Sequence, residues 1–453
     1  MERKIISFLK EWKNKSDKTP LVIKGLRQIG KTFIVKEFAK DNYNNAFILD
    51  FRKQKSLNSI FEGDFNIDNI SLFISTLPKD NQIITGSKMV PHETLLVFDE
   101  LQDCPNARSS LKYFKEDGRF DVICTGSLLG IEGYRIGQNS SRGIAVGSEE
   151  QIEMFPMDFE EFLWANNVDK AVIDLLKKCC DSKQEIPIFL HEQFLDWIRK
   201  YICVGGMPEV VAKFVETNDL NESRKIQKRL LDDYKSDFGS HLNDNNELVI
   251  NELEKTRIME VFDSIPKQLA KENKKFQYSV IDKKAKSRTH EAAIKWLKGY
   301  GLIDTCYNLS TIEQPFDFVS IKDNFKVYVS DVGLLIAMLE DNISFKILSN
   351  ELGFGKGMIY ENLIADALHK LGKPLYFFSK DSGLEIDFIT SLFNETHLLE
   401  VKSKSGNVKS AKTVLDNPNY NVEKLLKLTS QNFGFVENKM TAPYYLAFYI
   451  LNK

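Results

Sequence analysis

The chain has 453 residues, of which 43% are hydrophobic and 28% charged, with a formal net charge of -3. That composition belongs to a globular protein too long for one hydrophobic core. It excludes a largely disordered chain, and the small net charge excludes whole-molecule attraction to nucleic acid. Six cysteines (Cys104, Cys124, Cys179, Cys180, Cys203 and Cys306) lack the spacing of a zinc site or a disulfide framework, and no apolar run suits a secretory signal or a membrane span. A cytoplasmic location without membrane contact is therefore expected.

In chain order, residues 1–150 alternate apolar strands, expected at 21–24, 46–51, 95–98 and 121–124, with helical segments at 32–40 and 107–115. Repeated strand–helix–strand order predicts an α/β fold with a parallel sheet. Over 151–244 the strand signals fade, and FEEFLWA, AVIDLLKK, FLDWIRKYI and IQKRLLDDY repeat apolar residues three and four apart, as in a helical lid subdomain. Gly-Gly-Met-Pro at 205–208 marks a turn between two of its helices. Residues 245–330 place two helices before the strand-like LIDTCYNL and FKVYVSD, the order of a winged-helix-like domain. Residues 331–453 form a further α/β domain, with a helix at 357–371 and strands expected at LYFF, LEIDFI, THLLEVK and YLAFYIL.

Between the first strand and helix stands Gly25-Leu26-Arg27-Gln28-Ile29-Gly30-Lys31-Thr32, which matches a phosphate-binding loop at every defined position. Its glycines permit backbone conformations that turn N–H groups toward phosphates, and the following helix adds its N-terminal dipole. Lys31 is expected on the β- and γ-phosphates of ATP and the Thr32 hydroxyl on Mg²⁺. The apolar strand LLVF ends in Asp99 and Glu100, which suit metal holding and general-base chemistry respectively. Thr125, Gly126 and Ser127 follow another strand, where a hydroxyl could sense the γ-phosphate. Arg108, Arg119, Arg135 and Arg142 are candidates for an arginine on that phosphate.

The ordered blocks GLRQIGKT, FDELQ, LKYF, VICTGSLLG, MFPMDFEEFLWA, VGGMPEVV, SIPKQLAKENKKFQY, RTHEAAIKWLKGYGLI and YVSDVGLL resemble a large prokaryotic family of AAA-type ATPases (the AAA+ superfamily) that carry a C-terminal domain of uncharacterised function. The resemblance spans nearly the whole chain and departs at Ser148, where members often carry a basic residue. It implies ATP and Mg²⁺ as ligands and a homo-oligomer as one assembly. It also implies a restriction-endonuclease-like, or PD-(D/E)XK nuclease-like, C-terminal domain.

Residues of that kind are present. Glu361 lies in GMIYENLIADAL, Asp387 in LEIDFI, and Glu400 and Lys402 in LLEVKSKSG, where strand alternation sends the last two to one face. Asp387 and Glu400 would hold a second metal ion, Lys402 would stabilise developing charge, and Glu385 would support Asp387. Between 266 and 298, Lys267, Lys271, Lys274, Lys275, Lys283, Lys284, Lys286, Arg288, Lys295 and Lys298 face only Glu272, Asp282 and Glu291. That segment is either a solvated helical face or the contact for a DNA partner. Two functions follow: a Mg²⁺-dependent ATPase coupled to DNA and able to cut it, or a nucleotide-driven switch that binds a partner without cleavage.

Overall fold

The computed structural model describes residues 1–131, 147–239, 250–353, 355–402 and 409–453. Two compact units make up the chain: an N-terminal unit of Glu2–Phe155 with Gly299–Gly301, and a C-terminal unit of Pro156–Lys298 and Leu302–Lys453 with Met1.

The N-terminal unit opens with helix α1 (Ile5–Lys13) and then alternates β1 (Leu21–Gly25), α2 (Lys31–Asn42), β2 (Asn45–Asp50), α3 (Ile67–Ser75), β3 (Thr94–Asp99), α4 (Pro105–Asp117), β4 (Asp121–Ser127), the short α5 (Leu128–Ile131) and β5 (Glu150–Glu153). Its sheet order is β2-β3-β4-β1-β5, and every pairing is parallel. A parallel sheet is covered on both faces, which is why its strands read as unbroken apolar runs: Leu95, Leu96, Val97 and Phe98 are all fully buried. Under one face Phe51, Phe61, Phe98 and Phe114 meet edge to face at centroid distances of 5.3 to 6.0 Å. This aromatic cluster fixes the end of β3, from which Asp99 emerges. Asn66 caps α3, while α4 starts at Pro105 and stops at the left-handed Gly118. Sequence-expected strands and helices of this unit all occur, within a few residues of their expected ends.

In the C-terminal unit five helices come first: α6 (Phe159–Ala165), α7 (Lys170–Asp181), α8 (Ile188–Val204), α9 (Pro208–Thr217) and α10 (Leu220–Asp237). Asp158 and Glu161 form a capping box that starts α6. Next come α11 (Glu252–Leu269), α12 (Ser287–Tyr300), β6 (Ile303–Leu309), β7 (Ser320–Val329), α13 (Val332–Ala337), α14 (Ile343–Leu348) and α15 (Lys356–Lys370). The remainder is β8 (Leu375–Ser379), β9 (Glu385–Leu392), β10 (Glu395–Val401), α16 (Lys409–Leu415), β11 (Lys424–Thr429), β12 (Gly434–Val436), β13 (Lys439–Pro443) and α17 (Ala447–Ile450).

Two expectations change here. The β6–β7 hairpin does not close a separate winged-helix domain: β6 pairs in parallel with β8, so the hairpin is one end of an eight-stranded sheet ordered β12-β13-β11-β10-β9-β8-β6-β7. Strand pairing therefore crosses the boundary expected at residue 330. YLAFYIL is not a strand either, since 444–446 form a 3₁₀ turn that runs into α17. Its residues from Tyr445 to Phe448 are all buried, so that stretch is apolar on every side and shows no helical period.

One polar cluster organises this unit. The Lys370 ammonium reaches Asp366 Oδ1 at 2.9 Å, Asp331 Oδ2 at 3.3 Å, the Tyr201 hydroxyl at 2.8 Å and the Met157 carbonyl at 3.1 Å, with both carboxylates fully buried. Gly206 donates its N–H to Asp331 Oδ2 at 2.7 Å, and a Cβ on Gly206 would stand 2.0 Å from the Met157 carbonyl oxygen. The blocks around 157, 205–206 and 331 therefore meet around one buried cation.

Candidate functional site

The loop after β1 depends on close backbone approach. A Cβ on Gly25 would lie 2.2 Å from the carbonyl oxygen of Met154, the residue after β5, and Gly30 caps α2 with φ 87°. Leu26 and Ile29 are buried anchors, Arg27 is partly exposed, and Gln28 is exposed with a left-handed φ of 64°. A non-glycine residue in that region stores local strain, as loops built around a ligand often do.

Lys31 points back across this loop, donating from Nζ to the Gly25 carbonyl at 3.0 Å and to the Leu26 carbonyl at 2.7 Å. Burial lowers its pKa to about 8, against the pull of the Glu100 and Asp99 carboxylates. Thr32 Oγ1 donates to Asp99 Oδ1 at 2.8 Å, which joins the start of α2 to the end of β3. Thr125 Oγ1 donates to the same oxygen. Thr125, rather than Ser127, is thus the hydroxyl beside Asp99; the Ser127 Oγ accepts from the Gly130 N–H at 3.2 Å.

Glu100 leaves β3 with φ 54°. Its Oε2 accepts from Gln102 Nε2 at 2.5 Å and pairs with Arg52 Nη2 at 3.1 Å. Gln102 lies where side chains on Gly126 and Gly130 would collide with it, at 2.5 and 2.7 Å, which explains both glycines of VICTGSLLG. Arg52 was not singled out by sequence reasoning. It follows β2, whose Asp50 pairs in register with Asp99, and only the strand order places it there.

The expected arginines go elsewhere. Arg108 pairs with Glu149 at 2.8 Å and donates to the Ile131 carbonyl at 2.5 Å, and Arg119 pairs with Asp68 and Asp117, each at 2.7 Å. Arg135 and Arg142 lie outside the described residues.

In the C-terminal unit the four expected residues do converge. Glu361 on α15 is buried and pairs with Lys274, while the Tyr328 hydroxyl donates to its Oε2 at 3.3 Å. Asp387 Oδ2 accepts from the Val401 N–H at 2.8 Å and from Lys402 Nζ at 3.3 Å, and Lys402 reaches Glu400 Oε2 at 2.5 Å. Glu385 pairs at 2.7 Å with Lys326, a fully buried lysine that sequence reasoning passed over. Its signal was present: Lys326 and Tyr328 share one face of the stretch 325–329, which is otherwise apolar, and an inward lysine needs a carboxylate.

Burial, then the nearby Asp387 charge, raises Glu361 and takes Glu400 up to about 7. Burial alone would lower Lys402, but Asp387 and Glu400 outweigh it and hold the ammonium above its ordinary range. Glu400 Oε1 is buried without a hydrogen-bond partner. Even so, among the described residues no group of three or more His, Cys, Asp or Glu side chains is placed to hold a metal ion. The metal site expected at Asp387 and Glu400 thus has two carboxylates, each held by Lys402.

Part of the basic stretch is engaged as well. Lys271 donates to Gln277 at 2.8 Å, Lys295 pairs with Glu291 at 2.5 Å, and Lys298 donates to Thr305 at 2.9 Å. Lys283, Lys284, Lys286 and Arg288 are exposed. No described helix is long and apolar enough to cross a membrane.

The glycine cradle, the lysine over it, the Thr32–Asp99 contact and the parallel sheet together give the N-terminal unit a P-loop α/β core. Residues 17–163 match the model of the AAA domain. Two domains of unknown function match further along, DUF8612 at 195–343 and DUF4143 at 356–445. No curated protein matches the chain. Solved structures with detectable likeness include the Thermotoga maritima RuvB Holliday junction branch migration motor, at 12% identity over 66% of this chain and 87% of that one, TM-score 0.28. AMPPCP-bound DnaA from Aquifex aeolicus aligns at 14% identity over 64% of this chain and 86% of that one, TM-score 0.24. At these scores the likeness bears on neither activity nor partner.

Proposed function

We propose that the N-terminal unit binds ATP with Mg²⁺ and hydrolyses it. The 2.8 Å contact between Thr32 Oγ1 and Asp99 Oδ1 carries this reading, because it joins the hydroxyl and the carboxylate suited to one divalent ion beside the Lys31 ammonium. The residues fit such a ligand: the cradle has no room for a Cβ at Gly25, and the donors around it are N–H groups, an ammonium and hydroxyls. Thr32 and Asp99 would hold Mg²⁺, which offsets charge on the triphosphate. Lys31 exchanges its two loop carbonyls for phosphate oxygens, and Glu100 takes the proton of the attacking water. Phosphate release should vanish in Lys31→Ala, and Glu100→Gln should bind ATP yet turn it over at least about 100-fold more slowly. Undiminished hydrolysis in Glu100→Gln would remove the base assignment.

For the C-terminal unit the reading is a nucleic-acid contact, DNA first, through exposed Lys283, Lys284, Lys286 and Arg288, with the Asp387, Glu400 and Lys402 cluster as a nuclease-like site. Lysine pairing of these carboxylates favours the second reading, a nucleotide-driven switch that binds its partner without cutting. DNA and RNA incubated with protein, ATP and Mg²⁺ decide between them. Strand breakage lost in Glu400→Ala and Lys402→Ala supports cleavage, whereas binding without breakage supports the switch.

A further inference from the structure

We propose that Arg52 is the arginine that reads the γ-phosphate of bound ATP, exchanging Glu100 for that phosphate and so releasing the Glu100 carboxylate to act as the base. The proposal rests on the ATP reading above and adds a residue and a control step to it.

Arg52 stands two residues past β2, beside the end of β3, because Asp50 and Asp99 are paired in register. Its guanidinium spans two carboxylates, Glu100 Oε2 at 3.1 Å and Asp103 Oδ2 at 2.9 Å. The side chain is 44% exposed, so it can turn without repacking the core. Its positive charge is also felt at the Lys31 ammonium, which places it within electrostatic reach of the phosphate-binding lysine. One cation thus pairs with the base and acts electrostatically on Lys31.

A planar guanidinium binds phosphate in a bidentate fork, and the added negative charge of a γ-phosphate competes directly with Glu100 for it. While Arg52 and Gln102 both hold Oε2, Glu100 is engaged in ion pairing instead of facing a water molecule. Once Arg52 moves to the γ-phosphate, Glu100 can accept the water proton. The water oxygen bonds to Pγ, the bond from Pγ to the bridging oxygen breaks, ADP leaves with that electron pair, and inorganic phosphate forms. After ADP remains alone, Arg52 returns to Glu100 and hydrolysis chemistry is switched off. Arg108 pairs with Glu149 and Arg119 with Asp68 and Asp117, whereas Arg52 pairs with Glu100 itself.

The test compares Arg52→Ala and Arg52→Lys with the unaltered protein. Calorimetry measures Mg²⁺-dependent affinity for ADP and for a nonhydrolysable ATP analogue, and phosphate release gives kcat. Arg52→Ala should bind ADP unchanged, lose about tenfold in affinity for the analogue, and fall at least about 100-fold in kcat. Arg52→Lys should lie between, because it keeps the charge and loses the fork. Equal weakening of both nucleotides, an unchanged kcat, or a faster kcat in Arg52→Ala overturns the proposal. An unaltered protein that binds neither nucleotide overturns the ATP reading together with this one.

Discussion

Lys31 is the residue on which stability and activity should pull in opposite directions. Its burial moves the pKa from an ordinary 10.5 to about 8, which corresponds to about 3 kcal/mol against the folded state while the ammonium is charged. The hydrogen bonds to the Gly25 and Leu26 carbonyls return about 1 kcal/mol each, leaving a net penalty of about 1 kcal/mol. Lys31→Met, which keeps the stem and removes the charge, should therefore raise the melting temperature by about 3 °C at pH 7 without nucleotide. The sign with pH is distinctive. Below about 8 both folded and unfolded chains hold the proton and the penalty is full; from 8 to 10.5 only the unfolded chain holds it, so the gap to Lys31→Met closes as pH rises. ATP at about 100 times its Kd should add about 2.7 kcal/mol to the unaltered protein and nothing to the variant. Denaturant titrations at pH 7 and pH 10 measure both effects. A Met variant less stable at pH 7, or a gap that stays constant with pH, would refute the reasoning.

Three further outcomes follow from the same contacts. Thr32→Val should weaken Mg²⁺-dependent ATP binding about tenfold and leave Mg²⁺-free ADP binding nearly unchanged, read by calorimetry; equal effects on both would remove Thr32 from the metal. Gly206→Ala should cost about 3 kcal/mol or more in denaturant unfolding, since its Cβ would stand 2.0 Å from the Met157 carbonyl oxygen, and a loss below about 1 kcal/mol would mean the turn relaxes cheaply. Lys326→Met takes from Glu385 its ion-pair partner and from Glu361 and Asp387 the attraction of a buried ammonium, and should cost about 3 to 5 kcal/mol at neutral pH. Glu361 already has a raised pKa, so the loss should shrink as pH falls and the carboxyls protonate; a loss that grows toward low pH contradicts the assignment.

The proposed nucleotide site was legible because its parts are local. Gly25, Gly30, Lys31 and Thr32 sit within eight residues, and Asp99 announces itself where an apolar strand ends. Arg52 was illegible for the opposite reason: its importance arises from β2 lying beside β3, which no short stretch of sequence states. The β6–β7 hairpin shows the same limit. Its two strands and their antiparallel pairing are local, whereas the parallel β6–β8 pairing brings together residues about seventy positions apart. Asp387, Glu400 and Lys402 are legible from strand spacing, but Lys274 and Lys326 pair with the neighbouring Glu361 and Glu385 from other elements, so their neutralising role became visible only in three dimensions.

The ammonium of Lys370 has a bearing on how this chain can be dissected. One recognised sequence module ends at residue 343 and so contains Asp331 without the lysine that neutralises it. Excised at those limits, the fragment would carry an anion in an apolar setting with its counter-ion removed, and misfolding or aggregation should result. Evolutionary modularity and autonomous folding part company here, and a soluble piece of the C-terminal unit must extend through residue 370 at least.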